Sequence, residues 1–275
     1  MTITNYDGII ASRSAGKGDD MYFQKTGTVG GVTGTWYTYM KAAGLPGAAT
    51  YANASAAGSM QTATMTGSIP LANTTAGDSK YLLTFGVCIP SGAEISVVGL
   101  VDVLWAGAGI QVNSSATVTV GSPSTLRSTV WRNHRLGVFC ATAITTAATM
   151  TVWYTDAGGT ATSIDVVLGV AAANRMLPIG NQFVSLPNGI QTIQSVQVQT
   201  AQTNGAVDIF ICKPLAYIPT IGLNTWVERD MTAQIDGIVK LDLDSSYAPG
   251  FMCLVALTNG TTARGCVGMI RTCAG

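Results

Sequence analysis

The segment from Ser12 to Asp20, SRSAGKGDD, places a lysine between two glycines and so raises the question of phosphate binding. A P-loop has the pattern G-x-x-x-x-G-K-[ST] between a strand and a helix, because its backbone N–H groups and its lysine surround the phosphates. Here Lys17 is followed by Gly18 and Asp19, and no apolar strand segment precedes it. Two adjacent carboxylates would also repel a phosphate. We therefore interpret this segment as a flexible polar link that crosses a protein surface.

The single histidine, His134, lies in VWRNHRLGV beside Arg132 and Arg135. A histidine that acts as a general base needs a nucleophile or an orienting acid, and the chain has no G-x-S-x-G nucleophile elbow. We expect a hydrogen-bonded or exposed histidine and no enzyme activity. The three neighbouring basic side chains could instead meet an acidic partner surface.

Two carboxylates, Asp242 and Asp244, alternate with leucines in KLDLDSS, which predicts that both lie on one exposed face of a strand. Such a pair can bind calcium when loop oxygens join it. The EF-hand spacing is absent, so we favour a solvated strand face. We expect no metal ion and no other cofactor.

The chain contains six cysteines, and four of them lie inside apolar runs, where a free thiol behaves as a small apolar side chain. No pair has the C-x-x-C spacing of a zinc site or a redox motif. We expect buried thiols and no disulfide bonds. The six are Cys88, Cys140, Cys212, Cys253, Cys266 and Cys273.

Charged residues make up 10% of the 275 residues, and 14 basic residues balance 14 acidic ones. No overall field therefore attracts the chain to nucleic acid or to an anionic membrane, and a net charge near zero favours association. An ordinary β-protein with a hydroxyl- and amide-rich surface would fit this composition. The alternative that we follow is a surface largely covered by other subunits.

No targeting or membrane segment is expected. The N-terminus, MTITNYDGII, lacks the basic region and the apolar core of a secretory signal. The most apolar stretch, which starts at Ala93, contains Glu94 and Asp102 and is too short between them for a membrane helix.

From Lys80 onward, short segments rich in Val, Ile, Thr and aromatic residues alternate with Gly, Pro, Asn, Asp or Ser. This pattern predicts an all-β fold, a jelly-roll or related β-sandwich over residues 76–275. The segment Thr155 to Thr162, TDAGGTAT, predicts a hairpin turn in which Gly158 and Gly159 have positive φ. In QSVQVQT the valines alternate with glutamines, so one strand face enters a core and the other meets water or a partner.

Residues 1–75 differ from the remainder, because they combine a charged start, an aromatic cluster and a low-complexity stretch of small residues. We predict a helix over Tyr6–Ser14 capped by Asn5, and a second over Trp36–Ala43. The segment has too little bulk for a core of its own, so we expect an extended N-terminal arm that contacts neighbouring subunits. Its predicted anchors are Tyr6, Ile9, Ile10, Tyr22, Phe23, Trp36 and Tyr37, which are apolar, and Arg13 and Lys17, which are polar.

Three patterns in the chain, NYDGIIASRSAGKGDDMYFQKTG…TWYTYMKAAGLPG, NRMLPIGNQFVSLPNGIQTIQSVQV and AVDIFICKPLAYIP, resemble virion structural proteins of tailed bacteriophages, of the capsid decoration or cement type. The resemblance implies a non-enzymatic protein of the virion, assembled in the host cytoplasm. Its partners would be the major capsid protein and copies of itself in a homotrimer, with no nucleic acid and no membrane. Deletion of residues 2–30 should then leave a soluble sandwich that no longer binds shells.

An alternative is a phage tail or fibre component that binds a host surface glycan through exposed aromatic side chains. Aromatic rings beside Asn and Asp side chains can form a platform for a sugar. The aromatic residues without an assigned place in the sequence pattern are Trp105, Trp131, Trp153 and Tyr154.

Overall fold

The computed structural model describes residues 3, 5–27, 32–55, 57–90, 95–121, 126–232, 239–245, 248–259 and 265–275. Strands dominate these residues, so the predicted all-β class is confirmed. The elements are α1 (Tyr6–Ser14), β1 (Asp20–Lys25), β2 (Thr35–Thr38), β3 (Gly44–Leu45), β4 (Ser59–Met60), β5 (Lys80–Cys88), β6 (Ile95–Gln111), β7 (Val118–Thr119), a 3-10 turn (Trp131–Asn133), β8 (Arg135–Thr142), β9 (Thr149–Thr155), β10 (Ala161–Val167), β11 (Met176–Leu177), β12 (Thr192–Val198), β13 (Ala206–Pro219), β14 (Val227–Asp230), β15 (Lys240–Leu241), β16 (Phe251–Thr258) and β17 (Cys266–Ala274).

The described strands form three antiparallel sheets. Sheet I has the order β14-β5-β17-β1-β3, with β15 also paired to β5. Sheet II has the order β11-β8-β13-β6-β16-β2, with β4 also paired to β6. Sheet III has the order β10-β9-β12-β7. No helix in the described part of the chain is long and apolar enough to cross a membrane.

Sheet II contributes side chains to three hydrophobic cores, two of which join it to the other sheets. The first core joins Phe85 of sheet I to Leu100 and Leu254 of sheet II. The second core joins Val152 of sheet III to Ile209 of sheet II. Sheets I and III therefore both pack on sheet II, and the layers form a sandwich-like arrangement.

The N-terminal residues are part of this body and do not form a separate arm. Strand β1 pairs with β17, β2 with β16, and β4 with β6, so sheets I and II contain strands from both sides of residue 75. Small side chains such as Ala49 and Ala54 are buried because they allow the backbone to approach the strands closely. The predicted extended N-terminal arm is therefore corrected: a stretch poor in bulky residues can still pack tightly against a body that supplies the bulk.

The predicted first helix is confirmed as α1. The Asn5 side chain caps it, since its Oδ1 accepts a hydrogen bond from the Gly8 amide at 2.9 Å. The second predicted helix is wrong, because residues 35–38 form strand β2 and Tyr37 pairs with Ala256 of β16. Thr, Trp and Tyr favour an extended chain, and pairing with a buried strand decides the conformation here.

The predicted hairpin joins β9 to β10 and is confirmed. Gly159 has a φ of 84°, as predicted, but Gly158 is not among the residues with positive φ. Asp156 holds the turn because its Oδ1 accepts hydrogen bonds from the amides of Gly158 at 2.8 Å and Thr160 at 2.9 Å. The Asp156 side chain thus stabilises the turn, and a second glycine with positive φ is not needed.

Candidate interaction surface

Alternate residues of β1 identify the two sides of sheet I. Phe23 is buried in the core against sheet II, whereas Tyr22 is 67% exposed on the opposite, outward side. The strand register places Tyr22 in one row with Met269 of β17 and Gly86 of β5. The Trp226 ring lies over Gly86, where a Cβ atom would clash with it.

Helix α1 lies on this outward side, at the end of β5 and β17. A small core holds it there, made of Ile3, Ile9, Tyr81, Leu83 and Cys273. The Ser12 hydroxyl donates to the Ala274 carbonyl at 2.6 Å and accepts from the Ala274 amide at 3.2 Å. The Tyr6 hydroxyl lies 3.0 Å from the Thr232 hydroxyl, just beyond β14. The helix therefore crosses the sheet and exposes its own outer residues.

The outward side of sheet I together with α1 is called the sheet I face. Several large apolar side chains of this face are exposed to solvent. Its exposed apolar members are Tyr22, Leu45 at 64%, Ile10 at 62%, Tyr6 at 61% and Trp226 at 44% exposure. A group of exposed apolar residues on one face, within a ring of polar ones, is typical of a surface that another protein covers.

Several charged side chains of the sheet I face pair with one another. Arg13 lies 2.9 Å from Asp20, and Arg271 lies 3.8 Å from Asp20 and 3.7 Å from Glu228. These pairs are exposed and individually weak. A partner that covers this part of the face would therefore bury charges that already have a counter-ion in the chain.

The glycine-rich segment after α1 is fixed to the body by ion pairs. Lys17 pairs with Asp78 at 2.7 Å, and Lys80 forms a short ion pair with Asp19. The Thr272 amide donates to the Asp19 carbonyl at 2.9 Å, which continues the β1–β17 pairing. The prediction of a flexible link is therefore corrected. Carboxylates neutralise both lysines, which agrees with the rejection of a phosphate site.

The nine predicted anchor residues do not share one environment. Tyr6, Ile10 and Tyr22 are exposed on the sheet I face, and Lys17 and Arg13 are partly exposed beside their acidic partners. Ile9, Phe23 and Tyr37 are buried within the chain, so their predicted contact with neighbouring subunits is corrected. Trp36 is half-buried, with its ring 6.3 Å from that of Tyr217. Alternation along a helix or strand turns one of two adjacent apolar residues inward.

Two members of the sheet I face, Leu45 and Trp226, were missed by the sequence reading. Trp226 directly precedes strand β14, which pairs with β5. Strand pairing alone brings Leu45 and Trp226 to the same face as Tyr22, and no local signal marks it.

A buried ion pair lies where the two cores meet. Asp102 of β6 pairs with Arg127, and their side chains are 1% and 2% exposed. Asp102 alternates with Leu100 of the first core and Leu104 of the second. Arg127 also donates to the Val103 carbonyl at 2.9 Å. Burial raises the pKa of the Asp102 carboxyl, and the guanidinium beside it acts in the opposite direction.

His134 is buried and makes one hydrogen bond, between its Nδ1 and the Ile190 carbonyl at 3.2 Å. Burial lowers its pKa from 6.5 to about 4, so the ring is neutral at pH 7. The expectation of a hydrogen-bonded histidine is confirmed. The prediction that His134, Arg132 and Arg135 form one positive surface is corrected, because the histidine ring is buried and neutral.

The two alternating carboxylates are not on a strand face. Strand β15 ends at Leu241, and Asp242 pairs with Lys213 at 2.7 Å. Asp244 accepts a hydrogen bond from the Ala248 amide at 3.0 Å. Within the described ranges, no group of three or more His, Cys, Asp or Glu side chains could hold a metal ion.

All six cysteines are free, as expected. Five are buried and Cys88 is half-buried. Burial raises the pKa of the Cys140 thiol to about 11 and those of Cys253 and Cys266 to about 12. These thiols are therefore protonated at neutral pH and contribute as apolar side chains.

No family model and no curated protein matches the chain. Among solved structures, AlgX of Pseudomonas aeruginosa is 10% identical over 45% of this chain and 27% of its own, with a TM-score of 0.21. VP2 in the subviral particle of infectious bursal disease virus is 11% identical over 93% and 79%, with a TM-score of 0.21. A Macrobrachium rosenbergii nodavirus particle protein is 14% identical over 53% and 93%, with a TM-score of 0.14. With TM-scores this low, we rest neither fold nor function on these likenesses.

Proposed function

We propose that this chain is a non-enzymatic structural protein of a tailed-phage virion, of the capsid decoration or cement type. It attaches to the major capsid protein through the sheet I face. The observation that carries the proposal is the exposure of Tyr6, Ile10 and Tyr22 on this one face, together with Leu45 and Trp226. The sequence resemblance supplies the class of partner, and the face supplies the means of contact.

The energetics favour a partner that covers this face. Burial of apolar surface stabilises a complex by about 25 cal/mol per Å², and aromatic side chains supply much of it. The charges of Arg13, Asp20, Glu228 and Arg271 already have partners in the chain, which lowers the cost of removing water from them. Many weak copies of such a contact hold a shell together through multivalency.

The proposed assembly is a homotrimer formed in the host cytoplasm and retained in the virion. Closed rotational symmetry is the usual solution for identical subunits, and a trimer matches a local three-fold axis of a shell. The low charge of the chain, 10% of its residues, supports contact with copies of itself as well as with the capsid protein.

The test is co-sedimentation of the purified chain with shells of the phage that encodes it, stripped of their surface proteins. We expect the double variant Ile10→Glu/Tyr22→Glu to lose shell binding, since each carboxylate would be buried without a partner. The matched control is Val130→Glu/Val170→Glu, which alters side chains of 51% and 57% exposure away from the face. Equal shell occupancy by the face variant and the wild type would refute the proposal.

Deletion of residues 2–30 is not a usable test, although the sequence reading suggested it. That deletion would remove β1, whose Phe23 belongs to the first core and whose Lys25 amine donates to the carbonyls of Pro46 at 2.8 Å and Gly47 at 3.0 Å. The shortened chain would lose stability whatever its function. Surface substitutions keep the fold and change the contact alone.

A further inference from the structure

The outward side of sheet III presents two aligned rows of side chains. The strand register aligns Ser163, Trp153, Ser195 and Thr119 in one row across β10, β9, β12 and β7. The next row contains Asp165, Thr151 and Gln197. These two rows are called the sheet III face. Opposite them, Val152 and Val196 point into the second core.

Trp153 is the single aromatic residue of these rows. It is half-buried, and its cross-strand neighbours on both sides are serines, Ser163 and Ser195, which are too short to cover an indole ring. The described residues provide neither a hydrogen bond to its ring nitrogen nor an aromatic contact. The exposed part of this amphipathic ring and its N–H donor are therefore available to a ligand.

The polar side chains around Trp153 are already held in place. The Thr151 hydroxyl donates to Asp165 Oδ1 at 2.7 Å and accepts from Gln199 Nε2 at 3.1 Å. Gln197 Nε2 donates to the Ser115 carbonyl at 2.9 Å. Side chains fixed in this way lose little conformational entropy when a ligand binds. Amide and carboxylate oxygens that remain unused can accept further hydrogen bonds.

The charge of the sheet III face restricts the ligand. Asp165 is its one ionisable side chain, and no lysine, arginine or glutamate lies in the two rows. Nucleic acid and acidic glycans need basic side chains, so this face would repel them. A protein partner would need several apolar anchors, whereas the two rows contain Trp153 alone and the adjoining row adds one exposed apolar side chain, Val167. What remains is a neutral ligand with many hydroxyl groups and an apolar C–H surface.

We propose that the sheet III face binds a neutral oligosaccharide, which stacks a sugar ring on Trp153 and hydrogen-bonds to Asp165, Thr151 and Gln197. The site is separate from the sheet I face and does not depend on the proposed attachment to a shell. It places carbohydrate binding at a defined position on the molecule, with the aromatic ring giving affinity and the fixed polar groups giving orientation.

The test is affinity electrophoresis of the full chain through native gels that contain dextran, hydroxyethyl cellulose or galactomannan, with alginate as the acidic comparison. We expect at least one neutral polysaccharide to retard the wild type. Trp153→Ala should weaken that retardation about tenfold in apparent affinity. The matched control is Trp226→Ala, which removes a partly exposed tryptophan from the sheet I face and should leave retardation unchanged.

Circular dichroism of each variant verifies that its fold is intact, and Gln197→Leu provides a milder change at the same site with an expected partial loss. The proposal is overturned if none of the three neutral polysaccharides retards the wild type, if alginate alone does so, or if Trp153→Ala is retarded as strongly as the wild type. Shell binding by Trp153→Ala, measured by co-sedimentation, separates this outcome from a failure of the proposed virion role.

Discussion

The outward faces of sheets I and III share antiparallel geometry but meet their surroundings differently. The sheet I face combines exposed apolar side chains with charges that pair among themselves, such as Arg271 with Asp20. The sheet III face carries hydroxyl and amide groups around one tryptophan, and Asp165 is its one charge. In a chain with so little charge, the first arrangement suits a surface that another protein covers. The sheet III face remains solvated and suits a polar ligand such as an oligosaccharide.

The largest expected effect on stability comes from removing the buried ion pair that lies between the two cores. Sheets I and III both rest on sheet II, and the Asp102–Arg127 pair lies between their cores. Arg127→Ala would leave the buried Asp102 carboxylate without its counter-ion, so the carboxyl would take up a proton. We expect a loss of about 3–5 kcal/mol in the free energy of unfolding.

Urea titration followed by tryptophan fluorescence and by circular dichroism measures this loss. Both signals should shift together if the pair supports both sheets. Arg132→Ala is the control, since that side chain is exposed and its loss should change stability by no more than about 0.5 kcal/mol. A loss below about 1 kcal/mol for Arg127→Ala would show that the two halves do not depend on this pair.

Local features of the chain could be predicted from the sequence. Helix α1 was predicted with its correct bounds because its signals are local: Asn5 as cap and Arg13 near the end. The strands after Lys80 were predicted because their residues favour a pleated, half-buried surface. The hairpin after Thr155 was predicted because few residue pairs permit such a turn.

Features that depend on distant partners could not be predicted. The helix expected at Trp36–Ala43 gave way to pairing with β16, more than 200 residues away in the chain. The low-complexity stretch predicts an arm because its own bulk is small, yet Trp105 supplies the bulk that packs over Gly58. For the candidate face, residue type alone cannot decide whether Tyr22 or Phe23 points outward.

The next largest effect distinguishes the two halves by pH. His134 is linked to the second core, because it hydrogen-bonds to the carbonyl of Ile190 and the Ile190 side chain is part of that core. Its pKa is about 4 in the folded chain and 6.5 in the unfolded chain. The unfolded chain therefore binds the proton first as the pH falls, and stability present above pH 6.5 is lost down to pH 4.

We expect this loss to be on the order of 3 kcal/mol. His134→Asn keeps a donor for the Ile190 carbonyl and removes the titration, so its unfolding free energy should lack this part of the pH dependence. The raised pKa of Asp102 acts with the opposite sign and is common to both proteins. Identical pH profiles for the variant and the wild type would show that His134 does not weaken this side in acid.

A smaller effect is expected when α1 is loosened from the sheet I face. Ser12→Ala removes two hydrogen bonds to Ala274, both buried. We expect a loss of about 1–2 kcal/mol and faster hydrogen exchange at the amides of α1, with exchange in β9 and β12 unchanged. The Ala274 amide keeps its hydrogen bond to the Lys17 carbonyl at 2.7 Å, so its own exchange should change little. Ser14→Ala, at the exposed end of the same helix, is the control. Equal protection of the α1 amides in the two variants would mean that other contacts hold the helix.

The smallest effect concerns the charges of the sheet I face. Arg271→Ala removes two exposed pairs at 3.8 Å and 3.7 Å, which should cost less than about 1 kcal/mol. The cost should fall as the salt concentration rises from about 0.05 M to about 0.5 M, because salt screens exposed charges. Thr151→Val on the sheet III face, which carries one carboxylate, should show no such salt dependence. If the two variants respond to salt alike in thermal unfolding, then pairing of charges does not distinguish the two faces, and the apolar side chains alone do.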